Sequence, residues 1–160
     1  MDFEIGGRVE ELRDRIRAFM DEHVFPAELE AMEAVDAEVG PGKPYPEIVI
    51  EIRNRAREEG LWNLFMPHVT EWTPDPVSNT DYAPLAELMG RSPFVSEIFN
   101  CNAPDTGNME VLLKYGSPEQ QARWLLPLLR GEIRSAFCMT EPGVASSDAT
   151  NMQATATLEG

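Results

Sequence analysis

The residue types best suited to chemistry gather late in the chain, in Phe137-Cys138-Met139-Thr140-Glu141-Pro142-Gly143-Val144-Ala145-Ser146-Ser147-Asp148-Ala149-Thr150-Asn151. Ala136, Cys138 and Thr140 alternate with Phe137 and Met139, which predicts a strand with one face packed and the other turned to a ligand. Pro142 and Gly143 stop that strand, because proline has no ladder donor and glycine reaches backbone angles closed to other residues. The small, hydroxyl-rich run behind them lets main-chain N–H groups approach phosphate or carbonyl oxygens, and its Ser and Thr hydroxyls add donors. The same residues also suit an ordinary turn whose Ser, Asp and Thr satisfy local backbone, and residue chemistry alone leaves both readings open.

Other reactive types are sparse. His23 and His68 are the only histidines, and neither neighbours a nucleophile or a ligand partner, so no catalytic or metal role is assigned to them. Cys101 and Cys138 are too few for a disulfide framework and lack metal-type spacing, which marks both as reduced thiols.

Met139-Thr140-Glu141-Pro142, followed by Ala145-Ser146-Ser147-Asp148, resembles the flavin-binding signature of the acyl-CoA dehydrogenases. Ala149-Thr150-Asn151 resembles the branch of family members 10 and 11, as does the upstream run Asn100-Cys101-Asn102-Ala103-Pro104-Asp105-Thr106-Gly107-Asn108-Met109-Glu110. The resemblance implies a mainly α fold, with an N-terminal helical domain over residues 1–132 and the first strands of a middle β domain over 133–160. It further implies flavin-dependent dehydrogenation of an acyl-CoA, in which a glutamate removes the α proton while hydride passes from the β carbon to N5 of FAD.

On that likeness Phe137, Met139 and Thr140 line the flavin ring, with main-chain N–H groups and the Thr140 hydroxyl at its polar edge. Ser146 or Ser147 faces the FAD pyrophosphate or the CoA portion of the substrate. The family often has one residue fewer between Gly143 and the serine, so the two stay interchangeable here. Glu141 is not read as the base, which in the family comes from the C-terminal region; no catalytic residue is assigned in this sequence, and Glu141 is expected to hold the turn before Pro142. The implied partners are an acyl-CoA substrate, electron-transfer flavoprotein or a similar acceptor, and further subunits of a homo- or hetero-oligomer. Two other readings stay open: a non-catalytic subunit of a heteromeric dehydrogenase, and a helical interaction module that binds no flavin.

Composition narrows the classes further. A net charge of −15, with no Lys/Arg cluster, excludes nucleic acid and disfavours anionic membranes. An acyl-CoA is itself anionic, so its affinity has to come from short-range donors rather than long-range steering. No apolar run reaches about 18 residues and the N-terminus has no basic region leading into an apolar core, so a soluble cytoplasmic protein without a membrane span is expected.

The elements that must position the loop are helical. Val9, Leu12, Ile16, Phe19 and Met20 mark a first helix to about His23, ended or kinked at Pro26. A second, acidic stretch runs to about Val39 and closes at Gly40-Pro41-Gly42. Pro44-Tyr45-Pro46 opens a third, with Ile48, Ile52 and Ala56 on one side and Gly60 as its cap. The apolar run from Leu61 to Pro67 suits a buried connection or, alternatively, an acyl-chain wall. A fourth helix starts at Asp81-Tyr82 with Pro84 in its first turn, and another leads from Asp105 through Met109, Leu112 and Leu113 to Gly116. Ser117-Pro118-Glu119-Gln120 is a capping-box start for a helix with Trp124, Leu125, Leu128 and Leu129 as its buried stripe and a bend or stop at Pro127. Period-two patterning appears only afterwards, over Arg134 to Thr140 and Met152 to Leu158.

Overall fold

The computed structural model describes residues 5–38, 45–70, 73–144 and 148–158. Its architecture is mainly helical: α1 (Gly7–Phe19), α2 (Glu28–Glu38), α3 (Glu47–Glu58), α4 (Asn79–Met89), α5 (Val95–Ile98), α6 (Asp105–Tyr115), α7 (Pro118–Gln120) and α8 (Leu126–Leu129). The expected closure at Gly40-Pro41-Gly42 and the opening at Pro44 lie outside the described residues. No helix among the described residues is long and apolar enough to cross a membrane.

α1 buries Val9, Leu12, Ile16 and Phe19, the three-and-four spacing that the sequence displays. Pro26 does not end the rod. The winding loosens into a π turn over Met20–Val24, tightens into a 3-10 turn over Phe25–Ala27 and continues as α2. α7 and α8 are joined the same way, by a π turn over Gln121–Leu125 just ahead of Pro127. In each case the residue before proline reaches back one carbonyl farther than in an α-helix, Phe25 N–H to Met20 and Leu126 N–H to Gln121. Proline lacks an N–H and its ring crowds the carbonyl four residues back, and a local π turn absorbs that crowding without breaking the helix. The inserted residue also rotates the helix face. Trp124, expected in the buried stripe, is therefore 40% exposed, whereas Leu125, Leu128 and Leu129 remain inside.

α3 presents Val49, Ile52 and Ala56 to the core, leaving Ile48 half-buried. Gly60 closes it at φ 68°, with Gly60 N–H donating to Arg57 O at 3.1 Å and Leu61 N–H to Ala56 O at 2.8 Å. This paired closure needs the left-handed conformation that glycine adopts freely. α4 begins earlier than expected because Ser78 Oγ accepts the Asp81 N–H at 3.1 Å, so Pro84 falls inside the helix rather than in its first turn. The Ser117 capping box forms as read, with Ser117 N–H to Gln120 Oε1 at 2.8 Å and Gln120 N–H to Ser117 Oγ at 3.3 Å.

Two apolar clusters make the core. Side chains of α1, α3, α4 and α5 form the larger one, and Phe65, Met66, Met109, Leu125, Leu128 and Leu129 form the second. Tyr82 and Cys101 pack against both. Leu61, Trp62, Phe65 and Met66 are buried, so the apolar run after Gly60 is core.

A buried polar knot ties the two halves together. Asn63 and Asn100 sit at φ 57° and 53°, a conformation that asparagine tolerates better than most residues. Asn100 Nδ2 donates to Asn63 Oδ1 at 2.7 Å and to Leu128 O at 3.0 Å. Asn63 Nδ2 and Trp62 Nε1 both donate to Leu129 O, at 2.8 and 2.7 Å. These donors satisfy the last carbonyls of α8, which have no intrahelical partner. Gly131 then turns the chain at φ 68°, where a Cβ would meet the Trp62 ring at 2.9 Å.

The expected first strands of a β domain are not observed. Among the described residues no strand is present, and segments 134–140 and 152–158 run without a hydrogen-bonded ladder. Alternation within one segment cannot supply the facing backbone that a ladder requires.

Candidate functional site

The arm that begins at Gly131 leaves the helical body through an ionic anchor. Asp105, in the first turn of α6 and 2% exposed, accepts Ser135 N–H at 2.7 Å and Ser135 Oγ–H at 2.5 Å, and pairs with Arg134 Nε. Arg134 Nη1 also donates to both oxygens of Glu97 at 2.5 Å and to Tyr45 OH at 2.7 Å. Asn108 Nδ2 completes the anchor by donating to Ser135 Oγ at 2.8 Å.

Burial opposes the Arg134 charge, yet the attraction and hydrogen bond of Glu97, then Asp105 and Tyr45, outweigh it and hold its pKa above the ordinary guanidinium value. Burial, followed by the Glu97 charge, pushes the Tyr45 phenol upward. The helix-start position of Asp105 was visible in the sequence. Its cross-chain role was not, because nothing in the local pattern says that the residues after Gly131 fold back onto α6.

Beyond the anchor lie the residues singled out for the cofactor. Phe137 is 65% exposed, Met139 is half-buried and Thr140 is exposed. Ala136 and Cys138 are exposed as well, so neither alternating face is packed against the body. Ser146 and Ser147 lie outside the described residues. Asp148 folds the far side of the loop, accepting Thr150 N–H at 3.0 Å and Thr150 Oγ1–H at 2.6 Å, and these bonds hold its pKa below the usual carboxylate value. A short 3-10 turn, Ala149–Asn151, follows.

Glu141 does hold the loop, but from farther away than the turn before Pro142. Its carboxylate accepts Gln153 N–H at 2.9 and 3.2 Å and Ala154 N–H at 2.7 Å. A carboxylate directed at main-chain donors is a fastening group.

The arrangement offers an exposed aromatic ring, a thioether and a hydroxyl in one short segment, fixed at its base by Asp105. That donor set suits a flat ligand with an apolar body and an oxygen-rich edge. No group of three or more His, Cys, Asp or Glu side chains among the described residues could hold a metal ion. Cys101 and Cys138 are free, and burial pushes the Cys101 thiol up to about 11.

A family model described as "Acyl-CoA dehydrogenase, N-terminal domain" matches residues 8–132. Acyl-CoA dehydrogenase family member 11 of Rattus norvegicus is 48% identical over 155 residues, which cover 96% of this chain and 19% of that protein. The "Probable acyl-CoA dehydrogenase FadE2" of Mycobacterium tuberculosis (strain ATCC 25618 / H37Rv) is 45% identical over 161 residues, covering 100% of this chain and 38% of that protein. A solved structure described as a "putative acyl-CoA dehydrogenase from Mycobacterium abscessus" superposes with a TM-score of 0.79 at 50% identity, covering 98% of this chain and 40% of that one. The chain spans less than two fifths of these curated relatives.

Proposed function

This chain belongs to the acyl-CoA dehydrogenase family, and from that premise we propose that it forms the helical and flavin-loop portion of an FAD-dependent enzyme that dehydrogenates an acyl-CoA thioester between its α and β carbons. In this reading residues 1–132 are the N-terminal helical domain and 133–160 open the β domain. The observation that carries the reading is the segment Phe137-Met139-Thr140, with Phe137 and Thr140 exposed, held at a fixed exit from the helical body by the Asp105–Arg134 anchor.

Bound FAD supplies the two-electron chemistry that amino-acid side chains lack. The chain's own residues orient it: Phe137 and Met139 offer apolar contact to the ring, and the Thr140 hydroxyl offers a donor to its polar edge. Ser146 or Ser147 serves the FAD pyrophosphate or the CoA portion of the substrate. The α proton is taken by a glutamate from outside this sequence, since Glu141 is committed to main-chain donors. A cytoplasmic setting, an oligomeric assembly and an electron-transfer flavoprotein or similar acceptor complete the proposal.

The test is Thr140→Val in the purified protein reconstituted with FAD. Loss of one hydroxyl donor is expected to weaken FAD binding by about tenfold and to shift the visible flavin bands. Unchanged FAD affinity and unchanged bands would refute the assignment. A wild-type protein that takes up no flavin, alone or with a second polypeptide, would favour the helical interaction module instead.

A further inference from the structure

We infer that the cleft between α4 and α5 is a binding site for a small uncharged aliphatic molecule with one polar head, and that Ser92 is the group that holds that head. The inference goes beyond the dehydrogenase reading and does not depend on it.

The cleft measures about 370 Å³, at the small end of the roughly 300–1,000 Å³ range of ligand sites. Ala86 and Met89 of α4, Val95 of α5 and Pro93 between the two helices supply apolar walls, and Tyr82 and Cys101 also line it. Those last two pack against both core clusters, so the cleft reaches the junction between the halves of the body. Its rim at Gly90 and Pro93 is exposed.

One polar group in the wall has nothing to bind. Ser92 is 3% exposed, and its Oγ has no hydrogen-bond partner among the described residues. The main chain of Ser92 is already committed, with Ser92 N–H donating to Met89 O at 3.5 Å and Val95 N–H to Ser92 O at 3.4 Å, so only the hydroxyl is left over. Two neighbouring polar groups are occupied: Ser96 Oγ donates to Asn102 Oδ1 at 3.2 Å and Cys101 Sγ to Phe99 O at 3.3 Å. A buried hydroxyl without a partner is destabilising, and a ligand that supplies the missing hydrogen bond recovers that free energy as affinity.

Charge decides the class of occupant. The chain carries a net charge of −15, and the clefts around Arg8 and Asp75 and around Glu22 and Arg55 are lined by charged side chains. Among the described residues that line the α4–α5 cleft there is no Asp, Glu, Lys, Arg or His. An ionised head would lose its hydration there with no counter-charge to replace it. A hydroxyl or amide instead meets an oxygen able to donate and accept, while its alkyl part lies against Ala86, Met89 and Val95.

The probe is n-hexanol, titrated into the full chain and followed through the methyl NMR signals of Ala86, Met89 and Val95, with hexylammonium and hexanoate as charged counterparts of the same length. Hexanol should shift those signals saturably, with half-saturation at about 1 mM or below, and the charged probes should bind at least about tenfold more weakly. Ser92→Ala should weaken hexanol by about fivefold to tenfold without lowering the unfolding midpoint, since the hydroxyl it removes has no partner to lose. Ala86→Leu, which fills the cleft, should abolish binding in a body that circular dichroism shows to be folded.

No saturable shift in the wild type would overturn the site, as would undiminished binding to folded Ala86→Leu. Equal affinity of wild type and Ser92→Ala would overturn the role of the hydroxyl, and charged probes that bind as tightly as hexanol would overturn the ligand class. A lowered midpoint for Ser92→Ala would mean that ordered water already satisfies Ser92, and would overturn the inference that it awaits a ligand.

Discussion

The helical body and the arm after Gly131 are built on different physics. Body side chains such as Ile16, Val24, Leu61, Met66 and Leu85 are wholly enclosed, and even its polar knot is buried. The arm places Ala136, Phe137 and Cys138 in the open and is shaped by carboxylates: Asp105 at its root, Glu141 across the loop and Asp148 within it. Non-directional apolar burial makes the first rigid by itself, while the second relies on a few directional bonds to main chain. The body is thus held by its buried core, and the candidate segment stays largely exposed on directional bonds.

The sharpest way to press this contrast is Ile16→Ala. Deleting a fully enclosed side chain should cost about 3–4 kcal/mol, read as a lowered unfolding midpoint of the helical signal, because the cavity cannot fully collapse. Asp105→Asn should cost less, about 2 kcal/mol, and should act differently. It leaves Arg134 with Glu97, so the body stays folded while the Ser135 amide, which donates to Asp105, loses protection in hydrogen exchange. If Asp105→Asn melts body and arm together, the division into two regimes is wrong.

Smaller again is Ser117→Ala, which removes half of the capping box. It should cost about 1 kcal/mol and fray α7 without disturbing the arm. The mildest probe is thiol labelling. Cys138 is exposed, on the arm, and should react readily near neutral pH, whereas Cys101, between the two core clusters, should react far more slowly.

The pH dependence has a definite sign. Burial raises the Cys101 pKa from an ordinary 9.0 to about 11, so the folded state holds the neutral thiol. Its contribution to stability is whole below the ordinary value and is lost as pH rises toward the folded one. Labelling of Cys101 should accelerate across that alkaline window, and equal reactivity of the two thiols at neutral pH would contradict the burial.

What the sequence disclosed follows the same division. The stripe of Val9, Leu12, Ile16 and Phe19, the closure at Gly60 and the Ser117 capping box were legible because each is a local pattern with one physical solution. Trp124 was misplaced, since a π turn caused by Pro127 rotates the face that a regular period assumes. The strands were misread for a deeper reason: residues 134–140 carry the alternation of a strand, but alternation alone supplies no facing backbone, and none pairs with them among the described residues.

The candidate site divides likewise. Phe137, Met139 and Thr140 were singled out through the likeness of their motif to a family signature, whereas Asp105, Glu97, Arg134 and the Asn63–Asn100 knot are long-range pairings that no window reveals. Left-handed asparagine was the one faint signal. Glu141 lay between: its holding role was readable, its distant partners were not.

The most direct measurement of the central claim is a crystal structure of the FAD-loaded protein, with the distance from Thr140 Oγ1 to the flavin's polar edge as its readout. The account predicts a hydrogen bond of about 2.7–3.2 Å, with Phe137 and Met139 against the ring. A flavin bound with its ring away from residues 137–140 would contradict it.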